Sequence, residues 1–387
     1  DLGLLNGADG FRLDGVNPGD ETGRSVASAG DLNGDGFDDL IVGAPNADAN
    51  AAYDAGAAYV VFGKSAPFNA IVTLGALNGA DGFALIGIDA GDNVGKSVSG
   101  VGDVNGDGLD DVLIGASGAT ANGKVGAGAS YVVFGRTTGF DAAIDLASLD
   151  GSNGFRLNGV SQSDTSGISV SGAGDVNGDD IDDLIIGAFA ADPDSRSGAG
   201  ASYVVFGRET GFDAAFNLAS LNGSNGFRLD GVHSNDASGV SVGGAGDVNG
   251  DGFADVIVGA FGADPFLAAS AGSTYVVFGK AGGFAPTQKL DHLDGTNGFR
   301  LDGDDAGDQS GFAVDGAGDV NGDGFDDLIV GAFKADPSGK VDAGESYVVF
   351  GKAGGFAANL DLGILGFLDG FRLNGVGGRD FSGSAAG

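Results

Sequence analysis

The residues in this chain best suited to chemistry are carboxylates set at fixed intervals in short, glycine-bent stretches. The first stretch is DLNGDGFDD at 31–39. It returns as DVNGDGLDD at 103, DVNGDDIDD at 175, DVNGDGFAD at 247 and DVNGDGFDD at 319, each start 72 residues after the last. Positions 1, 3, 5 and 9 carry side-chain oxygens in every copy. They are Asp31, Asn33, Asp35 and Asp39, then Asp103, Asn105, Asp107 and Asp111, then Asp175, Asn177, Asp179 and Asp183. The last two sets are Asp247, Asn249, Asp251 and Asp255, and Asp319, Asn321, Asp323 and Asp327. Hard oxygens crowded on a tight backbone suit a calcium ion, whereas magnesium demands a stricter octahedron and gives up its water reluctantly. Like charges packed in one loop repel, and an ordinary turn has no need of that cost five times. The expected cofactor is Ca2+, about five ions, one per full repeat.

Little else in the chain could catalyse a reaction. Zero Cys excludes thiol chemistry and disulfides. The two His, His233 and His292, stand in non-equivalent parts of their repeats and read as surface loop residues. No nucleophile elbow or zinc signature occurs. No catalytic or cofactor-binding residues are therefore assigned, and the chain reads as a non-enzyme. Arg12, Arg156, Arg228, Arg300 and Arg372 recur at one strand position, which reads as a repeated structural salt bridge.

The acidic loops must be held by the segments around them, and four apolar stations recur in register. The first is GFRLDGV at 10, matched at 82, 154, 226, 298 and 370. Its apolar and polar residues alternate, the sign of a half-exposed strand. The second is small and smooth, as in GRSVASAG at 23 and GISVSGAG at 167, and suits a crowded centre where strands converge. The third and fourth, such as DDLIIGAF and AGASYVVFG, are nearly unbroken β-branched runs of the kind buried on both faces of a sheet. No segment combines helical spacing, caps and length.

Four strands per 72-residue unit is the pattern of a propeller blade. The fold class is all-β, a β-propeller of four-stranded blades forming one domain over 1–387. The full repeats run approximately 10–81, 82–153, 154–225, 226–297 and 298–369, and a partial repeat covers 370–387.

The combination DLNGDGFDDLIVGAP at 31–45 resembles the FG-GAP repeat of the integrin α-subunit propeller and its bacterial relatives, in five copies over nearly the whole chain. The resemblance, with an EF-hand-like loop, implies a backbone carbonyl ligand at position 7: Phe37, Leu109, Ile181, Phe253 and Phe325. Their apolar side chains would then point into the blade. There are departures. The Phe-Gly half of the motif is blurred, and only the first copy keeps Pro in GAP. Asp180 stands at position 6, where the other copies have Gly for a sharp turn. Ala254 replaces an acid at position 8, which is not a ligand position.

Composition narrows the partners. With 54 acids against 18 bases the net charge is −36. That argues against nucleic acid and anionic membrane, and favours cations or a basic partner. Asp1 is not a translation start, since the chain has no Met. No apolar stretch is long enough to span a bilayer, so no direct membrane insertion is expected. The chain stops just before a sixth acidic loop would begin. A complete ring would then have six or seven blades, or five blades would close with overlapping end strands, or the surplus strands would pass to a neighbouring molecule.

The function expected is a secreted or cell-surface, calcium-stabilised propeller for adhesion through a protein or surface-glycan partner, with self-assembly through the terminal strands as one form of partnership. The alternatives are a propeller module of a secreted enzyme or carbohydrate-binding protein, or a repeat segment of a filament or surface layer. Loop aromatics are sparse, with only Tyr53 and Phe266 between the third and fourth stations, which weighs against sugar binding.

Overall fold

The apolar runs fold as the strands expected, and a computed structural model of the chain describes residue 3, residues 5–50 and residues 52–385. Asp1 and the last two residues of the partial repeat, 386–387, lie outside the described residues. Five blades follow one another. Blade 1 contains Val26–Gly30, Asp39–Ala44, Ala57–Val61 and Gly82–Ile86, hydrogen-bonded in that order as an antiparallel sheet. The corresponding first strands of blades 2 to 5 are Val94–Gly102, Val170–Gly174, Val242–Gly246 and Ser310–Gly318.

The blades are interleaved along the chain. Each takes its fourth strand, the GFRL station, from the next 72-residue unit, so Gly370–Asn374 completes blade 5. Blades 1 to 4 each gain a fifth strand of three residues from later in that same unit, paired in parallel, as Ala143–Asp145 pairs with Gly82–Ile86. No periodicity marked these short strands in the sequence. They cover the fourth strand, and the GFRL station is buried more deeply than its alternation suggested: Phe83, Phe155, Phe227 and Phe299 are fully buried. The only helical pieces among the described residues are 3-10 turns of three residues, for example Leu146–Ser148.

The small, smooth station lies at the centre. The inner strands of successive blades lie side by side and line a cavity of about 290 Å³ that includes Ser25, Ser97, Ser169 and Ser241. Their backbones come too close for larger side chains: a Cβ on Gly100 would lie 2.5 Å from the Ser28 carbonyl oxygen. The serines join neighbouring blades. The Val98, Val170, Val242 and Val314 N–H groups donate to the Oγ of Ser25, Ser97, Ser169 and Ser241 at 3.0–3.1 Å.

The hydrophobic core lies between blades rather than at a single centre. Phe227 of blade 3 stacks on Phe284 at 4.3 Å and contacts Phe206 at 5.9 Å, and the same trio recurs at Phe155, Phe212 and Phe134. Removing one such ring should open a cavity that a close-packed interior cannot fill. The Phe227→Ala variant is expected to lose about 3–5 kcal/mol in urea denaturation. A loss under about 1 kcal/mol would show that the aromatic trio is not the glue between blades.

Candidate metal-binding loops

Each acidic loop turns the chain from an inner strand into the strand beside it, so its residues are fixed by a hairpin of the sheet. The turn uses backbone conformations that favour glycine. Position 6 has φ between +86° and +92° at Gly36, Gly108, Gly252 and Gly324, and Asp180 takes the same left-handed region at +65°. Asp is among the few residues that enter this region at modest cost. The third loop therefore keeps its course, and the Asp180 N–H still donates to the Asp175 carboxylate at 2.8 Å.

The position-1 carboxylate caps its own loop. Asp103 accepts from the N–H groups of Gly106, Asp107 and Gly108 at 2.7, 3.1 and 2.6 Å, and Asp175, Asp247 and Asp319 do the same in their loops. In the first loop, Asp31 accepts from Asp35 and Gly36. The position-5 carboxylate accepts from the position-7 N–H, as Asp107 does from Leu109 at 3.1 Å. The position-7 carbonyl therefore belongs to a residue whose N–H is already anchored.

Position 9 is the deepest group. Asp39, Asp111, Asp183, Asp255 and Asp327 are all fully buried. Each accepts one N–H from position 2 of its loop and one from the Gly that ends the third strand. For Asp183 these are Val176 and Gly207, both at 2.9 Å. Burial pushes the carboxyl of Asp39 up to about 7 and those of Asp111, Asp183 and Asp255 up to about 8. The backbone N–H donors oppose that rise, and the position-5 and position-1 carboxylates of the same loop add to it. Asp327 is raised for the same first reason.

These groups fit a hard cation. Each loop offers three carboxylates, an amide oxygen and a carbonyl, and no Lys or Arg bonds to its position-9 acid. In the first loop, Asn33 Oδ1 is buried with no hydrogen-bond partner. Among the described residues, however, no three acidic or histidine side chains converge as a metal cluster. The fold brings all the sequence-predicted ligands of a loop into one turn, while the carboxylates themselves are spread over separate N–H donors.

Two roles were not legible in the motif. The position-8 acid is a clasp between blades: the N–H groups of Asp31, Asp103 and Asp247 donate to Asp110, Asp182 and Asp326 of the following blade at 2.7, 3.0 and 2.8 Å. The position-7 side chain also reaches the neighbouring blade's loop instead of its own blade's interior. A Cβ on Gly178 or Gly250 would lie 2.4 or 2.3 Å from the ring of Phe253 or Phe325. The only signal for either role was the strict 72-residue spacing.

The recurring arginines form the expected ion pair where the residue two positions on is acidic: Arg12–Asp14, Arg228–Asp230 and Arg300–Asp302. Where that residue is Asn the pair changes. Arg156 donates to the Thr120 carbonyl at 2.8 Å, and Arg372 faces Glu345 at 3.5 Å. His233 and His292 are both exposed. A second acidic group lies at the rim of blade 5, where Asp308 is pushed up to about 7 by partial burial, then by Asp305, Glu345, Asp336 and Asp304.

Comparison with known proteins adds the family. Residues 22–61, 94–133, 238–277 and 310–349 match the FG-GAP repeat. Integrin alpha-5 of Xenopus laevis is 30% identical over 196 residues, which cover 49% of this chain and 17% of that protein. Integrin alpha-PS2 of Drosophila melanogaster is 29% identical over 191 residues, 48% of this chain and 13% of that protein. The chain thus matches less than a fifth of the length of these relatives. No helix among the described residues is long and apolar enough to cross a membrane.

Two outcomes test this geometry. Asp183→Ala leaves two buried N–H groups without an acceptor and is expected to cost about 2–4 kcal/mol, whereas Asp182→Ala, which removes one half-buried clasp, should cost about 1 kcal/mol. Equal losses in urea denaturation would contradict the ranking. For Asp308 the folded pKa lies above the unfolded one. Its contribution is therefore fully present below about pH 4 and lost as the pH rises through about 7. Melting temperatures across that window should fall less in Asp308→Asn than in the parent, and parallel curves would exclude the contribution.

Proposed function

Since the chain is an FG-GAP repeat protein folded as a β-propeller, we propose that it is a calcium-stabilised extracellular propeller that serves adhesion by binding protein or cell-surface partners. The observation that carries the reading is the five-fold donor set with a buried carboxylate at its base and no cationic side chain bonded to it. The ligands assigned are the residues at positions 1, 3, 5 and 9 of each loop, together with the carbonyls of Phe37, Leu109, Ile181, Phe253 and Phe325. When bound, the ion supplies the positive charge that the buried acids lack, and it ties an inner strand to its neighbour. The residues' own part is to hold the backbone turn open and to exclude solvent from position 9.

Similarity to integrin alpha subunits supports an adhesion role, and the net charge of −36 supports a cationic or polar partner surface rather than nucleic acid. The reading assigns binding and no catalytic step. It also places the protein outside the cell, where free calcium is high enough for modules that bind at roughly 10⁻⁴ to 10⁻³ M.

The energetic consequence is large. At free calcium about 100 times the dissociation constant, each site adds about 2.7 kcal/mol. Five independent sites would add on the order of 13 kcal/mol, comparable to the whole stability of a domain. Chelation is therefore expected to lower the melting temperature by at least about 5 °C, and native mass spectrometry with calcium should show about five ions per chain. A melting temperature unchanged by excess chelator, together with no bound calcium, would sink the proposal.

A further inference from the structure

An asparagine followed by glycine can react with its own backbone, because glycine places no Cβ beside the nitrogen that attacks. The chain has fourteen such pairs, and the fold treats them differently. In nine the glycine N–H is already donated. Gly106, Gly178, Gly250 and Gly322 give theirs to the position-1 carboxylate of an acidic loop. Gly7, Gly79, Gly159, Gly223 and Gly375 give theirs to backbone carbonyls. Three more, Gly154, Gly226 and Gly298, open strands at buried positions, and the carboxamide before each accepts a backbone N–H. Two glycines remain. Gly34 lies against the next blade, where a Cβ on it would stand 2.8 Å from Thr137 Cγ2, and the Asn33 Oδ1 before it is buried. Gly123 has no acceptor for its N–H among the described residues, and a Cβ on it would stand in open space.

We propose that Asn122–Gly123 is a self-modification site, at which the chain's own backbone converts the exposed carboxamide to a carboxylate. The pair makes up the whole of a two-residue turn. On either side of it the Ala121 N–H donates to the Lys124 carbonyl at 3.2 Å and the Lys124 N–H to the Ala121 carbonyl at 2.9 Å. Both turn residues take left-handed φ, +52° and +76°, the hairpin geometry that Asn-Gly favours. Both are exposed, so water and base reach the Gly123 N–H.

The chemistry takes two steps and needs only water. In the first, the Gly123 nitrogen gives its proton to base and bonds to Asn122 Cγ. The Cγ–Nδ2 bond breaks, and ammonia leaves with that nitrogen. The product is a five-membered succinimide. In the second, water adds to one of the two ring carbonyls and the bond from that carbon to the Gly123 nitrogen opens. Opening at Cγ gives aspartate, and opening at the backbone carbonyl carbon gives isoaspartate. The sum is one water consumed and one ammonia released, with no change of oxidation state.

The surroundings give the change a consequence. Asn122 Nδ2 donates to Asn217 Oδ1 at 2.7 Å, and Asn158 Nδ2 shares that acceptor at 3.2 Å. Asn217 ends Ala215–Asn217, the fifth strand of blade 2. A carboxylate at 122 has no proton to donate. Asn217 answers it only by turning its own amide group around, which leaves Asn158 without its acceptor. One unit on, the equivalents of Asn122 and Asn217 are Asp194 and Lys289, which pair at 2.6 Å. There the fold sets an ammonium opposite a carboxylate, and at Asn122 it sets an amide. Conversion therefore loosens the fifth strand of blade 2, and the loss of ammonia makes the change one-way.

The test incubates the folded 387-residue chain in mildly alkaline buffer and follows every asparagine by peptide mass spectrometry, with the chain in concentrated urea as the unfolded reference. In urea all fourteen pairs should convert at comparable rates. In the folded chain Asn122 should convert at least about tenfold faster than any pair whose glycine N–H is bonded, because freeing that N–H first breaks a hydrogen bond. Hydroxylamine, which cleaves a succinimide, should cut the folded chain after Asn122. Asn122→Gln, whose ring would need six members, should lose that cut while keeping the parent's circular dichroism. In Asn122→Asp, which carries the product's charge, the amides of Ala215–Asn217 should exchange with deuterium faster than in the parent. Conversion of Asn105 or Asn249 as fast as that of Asn122, an Asn122 left intact while the unfolded reference converts, or unchanged exchange in Asn122→Asp would each overturn the proposal.

Discussion

The structure depends on a buried carboxylate. In each blade one Asp is held away from water with two backbone N–H donors and no cationic side chain bonded to it, at Asp39, Asp111, Asp183, Asp255 and Asp327. Those two donors belong to the start of the loop and the end of the third strand, so a single side chain fixes the turn and the edge of the sheet together. Removing charge from this position would relieve its desolvation but orphan both N–H groups, and a buried unpaired donor costs as much as the charge is meant to avoid. The acid keeps both donors paired, and burial without a cationic side chain favours its neutral form. Five such groups in a chain of net charge −36 are what the proposed cations would answer.

The interleaving of the blades carries that local constraint through the molecule. Blade 1 draws its fourth strand from 82–86 and its fifth from 143–145, so it is complete only when parts of two successive repeat units are in place. The serine bonds across the inner strands join each blade to the next at a separation of 73 residues, and at every seam but that of blades 3 and 4 the position-8 clasps add a second joint at 79. A change in the length of one unit between these anchors would put both out of register with the neighbour. The constant 72-residue spacing follows from this double attachment, as does the expectation that folding propagates between nearest neighbours.

The sequence was legible where side-chain pattern and backbone agree. The β-branched second and third strands of each blade, the crowded inner strand and the acidic turns all lie where they were expected, because apolar runs, small residues and left-handed glycines each admit few alternatives. Asp180 is the sharpest case: it enters the left-handed region that Gly occupies in its sister loops. The fifth strand was invisible for the opposite reason. Its residues are AID, AFN, TQK and NLD, and pairing through the backbone in parallel places little demand on side chains. Position 8 and the direction of the position-7 side chain were missed because both act across a seam, and no single repeat contains its own neighbour.

The seam between blades 3 and 4 shows how much of this design a single substitution can alter. Residue 254 is Ala, so the Asp175 N–H lacks the carboxylate that Asp31, Asp103 and Asp247 find opposite them. The loop is held there by what remains. The Ala254 N–H donates to the Asp175 carbonyl at 3.0 Å, where the Asp182 and Asp326 bonds measure 3.3 Å, and the ring of Phe253 lies over Gly178. This seam exchanges a charged clasp for a shorter backbone bond and keeps the aromatic cover that Phe325 also gives Gly250 at the next seam. The ligand positions 1, 3, 5 and 9 of the fourth loop are untouched by the change. The proposed metal ligands and the blade clasp are therefore different, adjacent residues of the same loop, and a substitution at position 8 alters the joint while leaving those ligands in place.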